Sequence, residues 1–123
     1  MSIHITAYQS RATTETITLR DADGVAITLL SADRIRIKVG RAGKTPILDI
    51  LGGTPMSGGT TINNANPATL KLYAADLGNQ AIKPGVYEIE AMVIDTADSN
   101  RLKHAESGVF TLIGTQLGNV GLT

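Results

Sequence analysis

Apolar residues recur at every second position through most of the chain, which is the period of a half-buried strand, because successive strand side chains point to opposite faces. Ile3, Ile5 and Ala7 alternate with His4, Thr6 and Tyr8; Ile17 and Leu19 alternate with Thr16, Thr18 and Arg20; Val25, Ile27 and Leu29 continue the pattern. Between the last two runs, Asp21-Ala22-Asp23-Gly24 predicts a hairpin turn, since Asp and Gly tolerate tight-turn backbone angles. The first three strands are therefore expected side by side. Ile35, Ile37 and Val39 alternate with Arg34, Arg36 and Lys38, predicting a strand with one apolar and one cationic face that ends at Gly40-Arg41-Ala42-Gly43-Lys44.

Pro46 to Leu51 reads as a short strand that Pro46 can only open, since proline has no N–H to give to a ladder. Gly52 to Gly59 carries four glycines and a proline and predicts an exposed, mobile loop. Thr60 to Asn63 predicts a brief strand, Ala65-Asn66-Pro67 a turn, Leu70 with Leu72 another strand, and Ala74 to Gln80 one helical turn or a loop. Val86 to Asp95 is the longest strand pattern, with Tyr87, Ile89, Ala91 and Val93 on one side and Val86, Glu88, Glu90, Met92 and Ile94 on the other. Asp98-Ser99-Asn100 turns the chain, Arg101 to Glu106 reads as a charged connection, and the last strand runs through Val109, Thr111 and Ile113.

About 7–9 short strands with regular turn signals predict an all-β protein, a sandwich or barrel. Gly85-Val86-Tyr87-Glu88-Ile89 narrows this to an immunoglobulin-like antiparallel β-sandwich. In such folds a tyrosine stands near the start of a central strand, two residues before an inward position that is a cysteine in antibodies and is Ile89 here. A Gly-x-Tyr after a turn is also an ordinary strand entry. The sandwich is placed at residues 1–113, followed by an uncharged arm or frayed tail at 114–123.

Composition narrows the function classes. The 123 residues contain 11 basic and 11 acidic side chains, two histidines and no cysteine, and the net charge is zero. A disulfide scaffold and Cys-ligated metal are excluded, and no metal or other cofactor is expected. Neutrality argues against a nucleic-acid binder or a polybasic membrane-surface protein. The alternating start without a basic, long-apolar leader predicts synthesis in the cytoplasm.

Catalytic groupings are sparse, so the chain is read as a non-enzyme. His4 lies in an alternating strand and His104 in the charged connection, neither within a catalytic motif. Glu88 and Glu90 share a strand face about 7 Å apart and are expected to pair with cations, forming a charge ladder with Arg34, Arg36 and Lys38 if the two strands are neighbours. Asp21-x-Asp23-Gly24 lacks the remaining oxygen ligands of a calcium loop, and Gly43-Lys44-Thr45 lacks the first glycine of a phosphate loop. Arg34, Arg36, Lys38, Arg41 and Lys44 fall within eleven positions that hold no acid, a candidate docking patch for an acidic partner. No charged residue follows Glu106, and Leu117, Val120 and Leu122 in the neutral tail are candidate anchors of an arm that pairs with another subunit.

Three stretches carry a family resemblance: Ile17 to Leu29 (ITLRDADGVAITL) with the basic strand after it, Pro84 to Asp95 (PGVYEIEAMVID), and Ser107-Gly108-Val109-Phe110. Together they resemble the small immunoglobulin-like domains of tailed-bacteriophage virion proteins, in particular the N-terminal domain of baseplate upper proteins. The likeness covers about two thirds of the chain in order and spacing, and the chain is expected to lack the long stalk or receptor-binding extension that those proteins carry. It implies a non-enzymatic virion component, a capsid decoration or a tail or baseplate accessory, present in many copies and partnered by other virion proteins. A carbohydrate-binding or adhesion module is the alternative, which would use Tyr8, or Tyr73 beside Asp76.

Overall fold

The computed structural model describes residues 3–78 and 82–114. Eight strands and one helical turn follow in order: β1 (Ile3–Tyr8), β2 (Thr13–Ile17), β3 (Asp33–Gly40), β4 (Leu48–Leu51), β5 (Thr61–Ile62), β6 (Ala68–Leu72), α1 (Ala74–Leu77), β7 (Gly85–Asp95) and β8 (Arg101–Ile113). They form a five-stranded sheet in the order β1-β8-β7-β3-β4 and a three-stranded sheet in the order β2-β6-β5. The protein is all-β as expected, but its larger sheet is mixed, because β1 runs parallel to β8. The arm anchors Leu117, Val120 and Leu122 lie outside the described residues.

One core lies between the sheets. The alternating positions Ile35, Ile37 and Val39 of β3, Tyr87, Ile89, Ala91 and Val93 of β7, and Leu48 and Ile50 of β4 face Ile17, Ala68, Leu70 and Leu72 of the smaller sheet. From β8 the inward residues are Phe110 and Leu112, while Val109 of the alternate set is exposed. β7, paired on both sides, sits at the centre of the larger sheet.

Four sequence expectations are corrected. First, β1 and β2 lie in different sheets, so the first three strands are not adjacent. Val25 to Leu29 forms no ladder strand; its backbone contact with the preceding chain is one bridge, Arg20 to Ala26, flanked by the bonds from the Asp21 N–H to the Val25 carbonyl and from the Ile27 N–H to the Leu19 carbonyl. Asn66 takes the place of a ladder partner, its Nδ2 donating to the carbonyls of Leu19 and Ile27 and its Oδ1 accepting from the Leu19 N–H. The turn itself forms as expected, with Asp21 Oδ1 accepting from the Asp23 and Val25 N–H groups.

Second, Arg101 to Glu106 is strand rather than connection, because the turn before it folds β8 directly back on β7. Third, the Gly52–Gly59 segment is tied down: the Gly52 N–H donates to Ile35 O, Gly53 to Ile62 O and Gly58 to Asp76 Oδ1. Gly52 is buried. Fourth, the charge ladder does not form across β3 and β7. The register sets Arg34 opposite Ile94 and Arg36 opposite Met92, leaving only Lys38 opposite Glu90. Met92 and Ile94 are buried on this outer face beside the two arginines, whose aliphatic stems suit apolar neighbours.

A polar lock closes one end of the core. The β7–β8 register shifts at Val93, which pairs with His104 while Ile94 pairs with Leu102, so Lys103 is the extra residue of a bulge. Its Nζ reaches both carboxylate oxygens of Asp33, at 3.0 and 2.9 Å. Asp33 is 2% exposed. The Leu30 N–H, which donates to its Oδ2, holds this carboxyl below its ordinary pKa; burial opposes that shift and the charges of Lys103 and Arg101 add to it. Asn64 continues the lock, donating to Asp33 O and accepting from the Ile35 N–H.

Two outcomes test this arrangement. A carboxyl with a lowered folded-state pKa contributes stability above its unfolded value, about 3.9, and loses it as pH falls through the folded value. Asp33→Asn is therefore expected to cost about 1–2 kcal/mol at pH 7, with the deficit against wild type shrinking below about pH 4; urea unfolding at both pH values checks it. At Gly108, a Cβ would lie 1.9 Å from the Ile3 carbonyl oxygen, because the start of β1 pairs with β8 at this residue in close approach. Gly108→Ala is expected to cost about 1–3 kcal/mol and to remove amide-exchange protection from β1 while β3 and β7 keep theirs.

Candidate functional site

The five expected docking cations separate by what each touches. Arg34 Nη1 donates to the carbonyls of Ser31 and Asp33. Arg36 forms a two-pronged pair with Asp49 of β4, Nε to Oδ1 at 2.9 Å and Nη2 to Oδ2 at 2.8 Å. That hydrogen-bonded contact lowers the Asp49 pKa and raises that of Arg36. Both arginines are thus engaged within the fold. Lys38, Arg41 and Lys44 have no ion-pair partner among the described residues.

Arg41 and Lys44 belong to the hairpin that joins β3 to β4. This turn closes through the Lys44 N–H to Arg41 O and the Ile47 N–H to Val39 O. Arg41 extends from it across β7, where its guanidinium carbon stands 4.1 Å from the centroid of the Tyr87 ring. Stacking of this kind holds a guanidinium flat on an aromatic face and leaves its N–H edge available. A Cβ at Gly85 would lie 3.1 Å from Arg41 Nη2, and Gly85 has φ +147°, a backbone angle that side-chain-bearing residues rarely adopt. Glycine here meets the backbone and the spatial demand together.

Tyr87 is itself fixed at both ends. Its ring is buried at the margin of the core, and its hydroxyl donates to the carbonyl of Lys83. That bond draws the chain before β7 back over the strand and brings Lys83 beside Arg41 and Lys44. The three cations, with Thr45, Ile47 and Tyr87, line an open cleft of about 490 Å³ in which no acidic residue takes part. Glu88 and Glu90 border an adjoining cleft of about 200 Å³ with Lys38, Arg41 and Lys44. Strand alternation separates the two: Tyr87 points to the core face of β7, and the glutamates point to the outer face.

Sequence reasoning missed Lys83. It stands 39 residues after Lys44 (83 − 44) and outside the basic run. The available signal was the tyrosine two residues into the strand, whose hydroxyl needs a backbone partner a few residues upstream.

Other expected groups are placed as follows. His104 Nε2 lies 2.8 Å from Glu106 Oε2, an oxygen that also accepts from the Arg20 N–H. The open cleft beside them is lined, among the described residues, by Arg20, Asp21, Ala22 and Gly24. Tyr73 lies against Gly59, and the Asp76 oxygens accept from the Gly58 and Thr60 N–H groups at 2.9 and 2.8 Å. Asp76 thus serves the 52–60 segment. Tyr8 carries Arg11 on its face at 3.9 Å. Among the described residues no helix is long and apolar enough to cross a membrane. No protein-family model and no curated protein matches the chain.

The Tyr87 hydroxyl yields a direct test. Tyr87→Phe keeps the ring under Arg41 but leaves the Lys83 carbonyl without its donor, and is expected to cost about 1–2 kcal/mol, read as a lowered urea midpoint with unchanged slope. An unchanged midpoint would show that the hydroxyl does not fix this turn.

Proposed function

We propose that the protein is a non-enzymatic, immunoglobulin-like docking module of a tailed-phage virion. The fold part of this reading is supported by strand order. β3, β7 and β8 follow one another in the larger sheet as strands C, F and G do in such domains, with β4 added beyond β3 as C′. In the smaller sheet β2, β6 and β5 take the order of B, E and D. The Tyr87–Lys83 bond has the form of a tyrosine corner, a hydroxyl returning to the backbone four residues upstream, and Ile89 fills the inward position two residues on.

Docking is supported by one observation above others: Arg41, Lys44 and Lys83 converge on a cleft without an acid, whereas Arg36, Arg101 and Lys103 are all paired internally. Unpaired cations held at one end of a rigid sandwich give orientation and association rate to a contact with an acidic surface. Many copies on a symmetric shell or tube turn modest contacts into stable attachment through effective concentration. The virion setting rests on the resemblance of Ile17–Leu29 and Pro84–Asp95 to phage domains.

Immunogold electron microscopy tests the proposal, with antibody raised against the recombinant protein and applied to particles released by cells that carry its gene. Regular label over heads or at tail ends, with the chain's peptides found in the particles by mass spectrometry, is the expected result. Particles bearing neither label nor peptides, when the antibody detects the recombinant protein well, would contradict the virion assignment.

A further inference from the structure

We infer that the Tyr87 cleft is a carboxylate-binding site, built to take an acidic peptide segment of a protein partner against Arg41, Lys44 and Lys83. The inference rests on the docking reading and names what the docking end recognises. Three features carry it, and the first is preorganisation. The Arg41 guanidinium is held on the Tyr87 face and against the Gly85 backbone, and among the described residues its side chain makes no hydrogen bond. A cation whose position is already fixed loses less rotamer freedom when it binds an anion, and the planar N–H fork of arginine matches a carboxylate with two parallel bonds.

The second feature is the missing counter-charge. Among the described residues no acid lines the cleft, and residues 1–2, 79–81 and 115–123 include no Asp or Glu. Among the described residues, Glu88 and Glu90 line the adjoining cleft and look onto the opposite face of β7. The chain thus supplies three positive side chains here and no acidic side chain within the cleft.

The third feature is the shape and lining. A cleft of about 490 Å³, open to solvent, accommodates a short extended segment, and the half-buried Ile47 offers apolar contact for its methylene groups. Thr45 is the remaining polar residue of the lining. Three separated cations suit successive carboxylates along a peptide better than one compact ion. A peptide with two or more Glu or Asp residues in a row is the chemistry that this set recognises.

The test is a titration of the isotopically labelled full chain with the blocked peptide acetyl-Glu-Glu-Glu-Glu-amide, followed by amide and Arg Nε–H chemical shifts, with inorganic phosphate at matched ionic strength as the second probe. Saturable shifts confined to residues 41–47 and 83–87, and an apparent affinity at least tenfold weaker in Lys44→Ala/Lys83→Ala, are expected. Both lysines are surface residues of turns, and an otherwise unchanged spectrum certifies that the variant is folded. Absence of saturation, or saturation that the double variant leaves unchanged, overturns the inference. Saturation by phosphate at these residues without any by the peptide overturns the carboxylate assignment. A chain present in virions but indifferent to the peptide would sink this inference and leave the docking reading standing.

Discussion

Tyr87 is the residue on which both halves of the structure depend. A tyrosine that enters the central strand must keep its ring with the core and still find a partner for its hydroxyl, because a buried hydroxyl without one costs more than the bond itself contributes. Folding the chain back at Lys83-Pro84-Gly85, so that the Lys83 carbonyl accepts, satisfies both demands. The entry point of β7 is thereby set, and with it the neighbours on each side: Ile89 against Val39 of β3 and Gly108 of β8. The same backbone return carries Lys83 to the place where Arg41 lies on the ring.

Away from Tyr87, side-chain amides and carboxylates do much of what ladders do elsewhere. Asn66 serves the irregular run after β2, Asn64 and Asp33 join the start of β3 to the loop before β6, and Asp76 holds the glycine-rich segment. Each satisfies backbone groups that a buried or half-buried loop would otherwise leave unpaired. The all-β fold can therefore carry few aromatic residues and one small sheet and still have a continuous core. Its cations then divide into those consumed by this internal accounting and those left at the Tyr87 end.

Much of the strand content was legible because its signal is local. β1, β3, β4, β6 and β7 follow from alternation or turn chemistry in a few consecutive residues, while for Ala74 to Gln80 a helical turn and a loop stood side by side and Ala74–Leu77 is the turn. What was not legible depends on partners distant in sequence. The parallel pairing of β1 with β8, the replacement of a Val25–Leu29 strand by Asn66, and the Lys103 bulge that serves Asp33 are set by residues 39 to 105 positions apart. The candidate site divides in the same way. Arg41 and Lys44 stood in a visible basic run; the internal use of Arg36 required the pairing of β3 with β4, that of Arg34 required the side-chain return to the Ser31 and Asp33 carbonyls, and Lys83 required the tyrosine bond.

The most direct measurement of the account is the proton chemical shift of the Arg41 guanidinium Nε–H in the wild-type protein and in Tyr87→Leu, which removes the ring. A guanidinium held on the face of Tyr87 is expected to show an upfield ring-current shift in the wild type that vanishes in the variant. A wild-type Arg41 signal at the position of a solvent-exposed arginine, unchanged in the variant, would contradict the claim that Tyr87 joins the core to the cationic cleft.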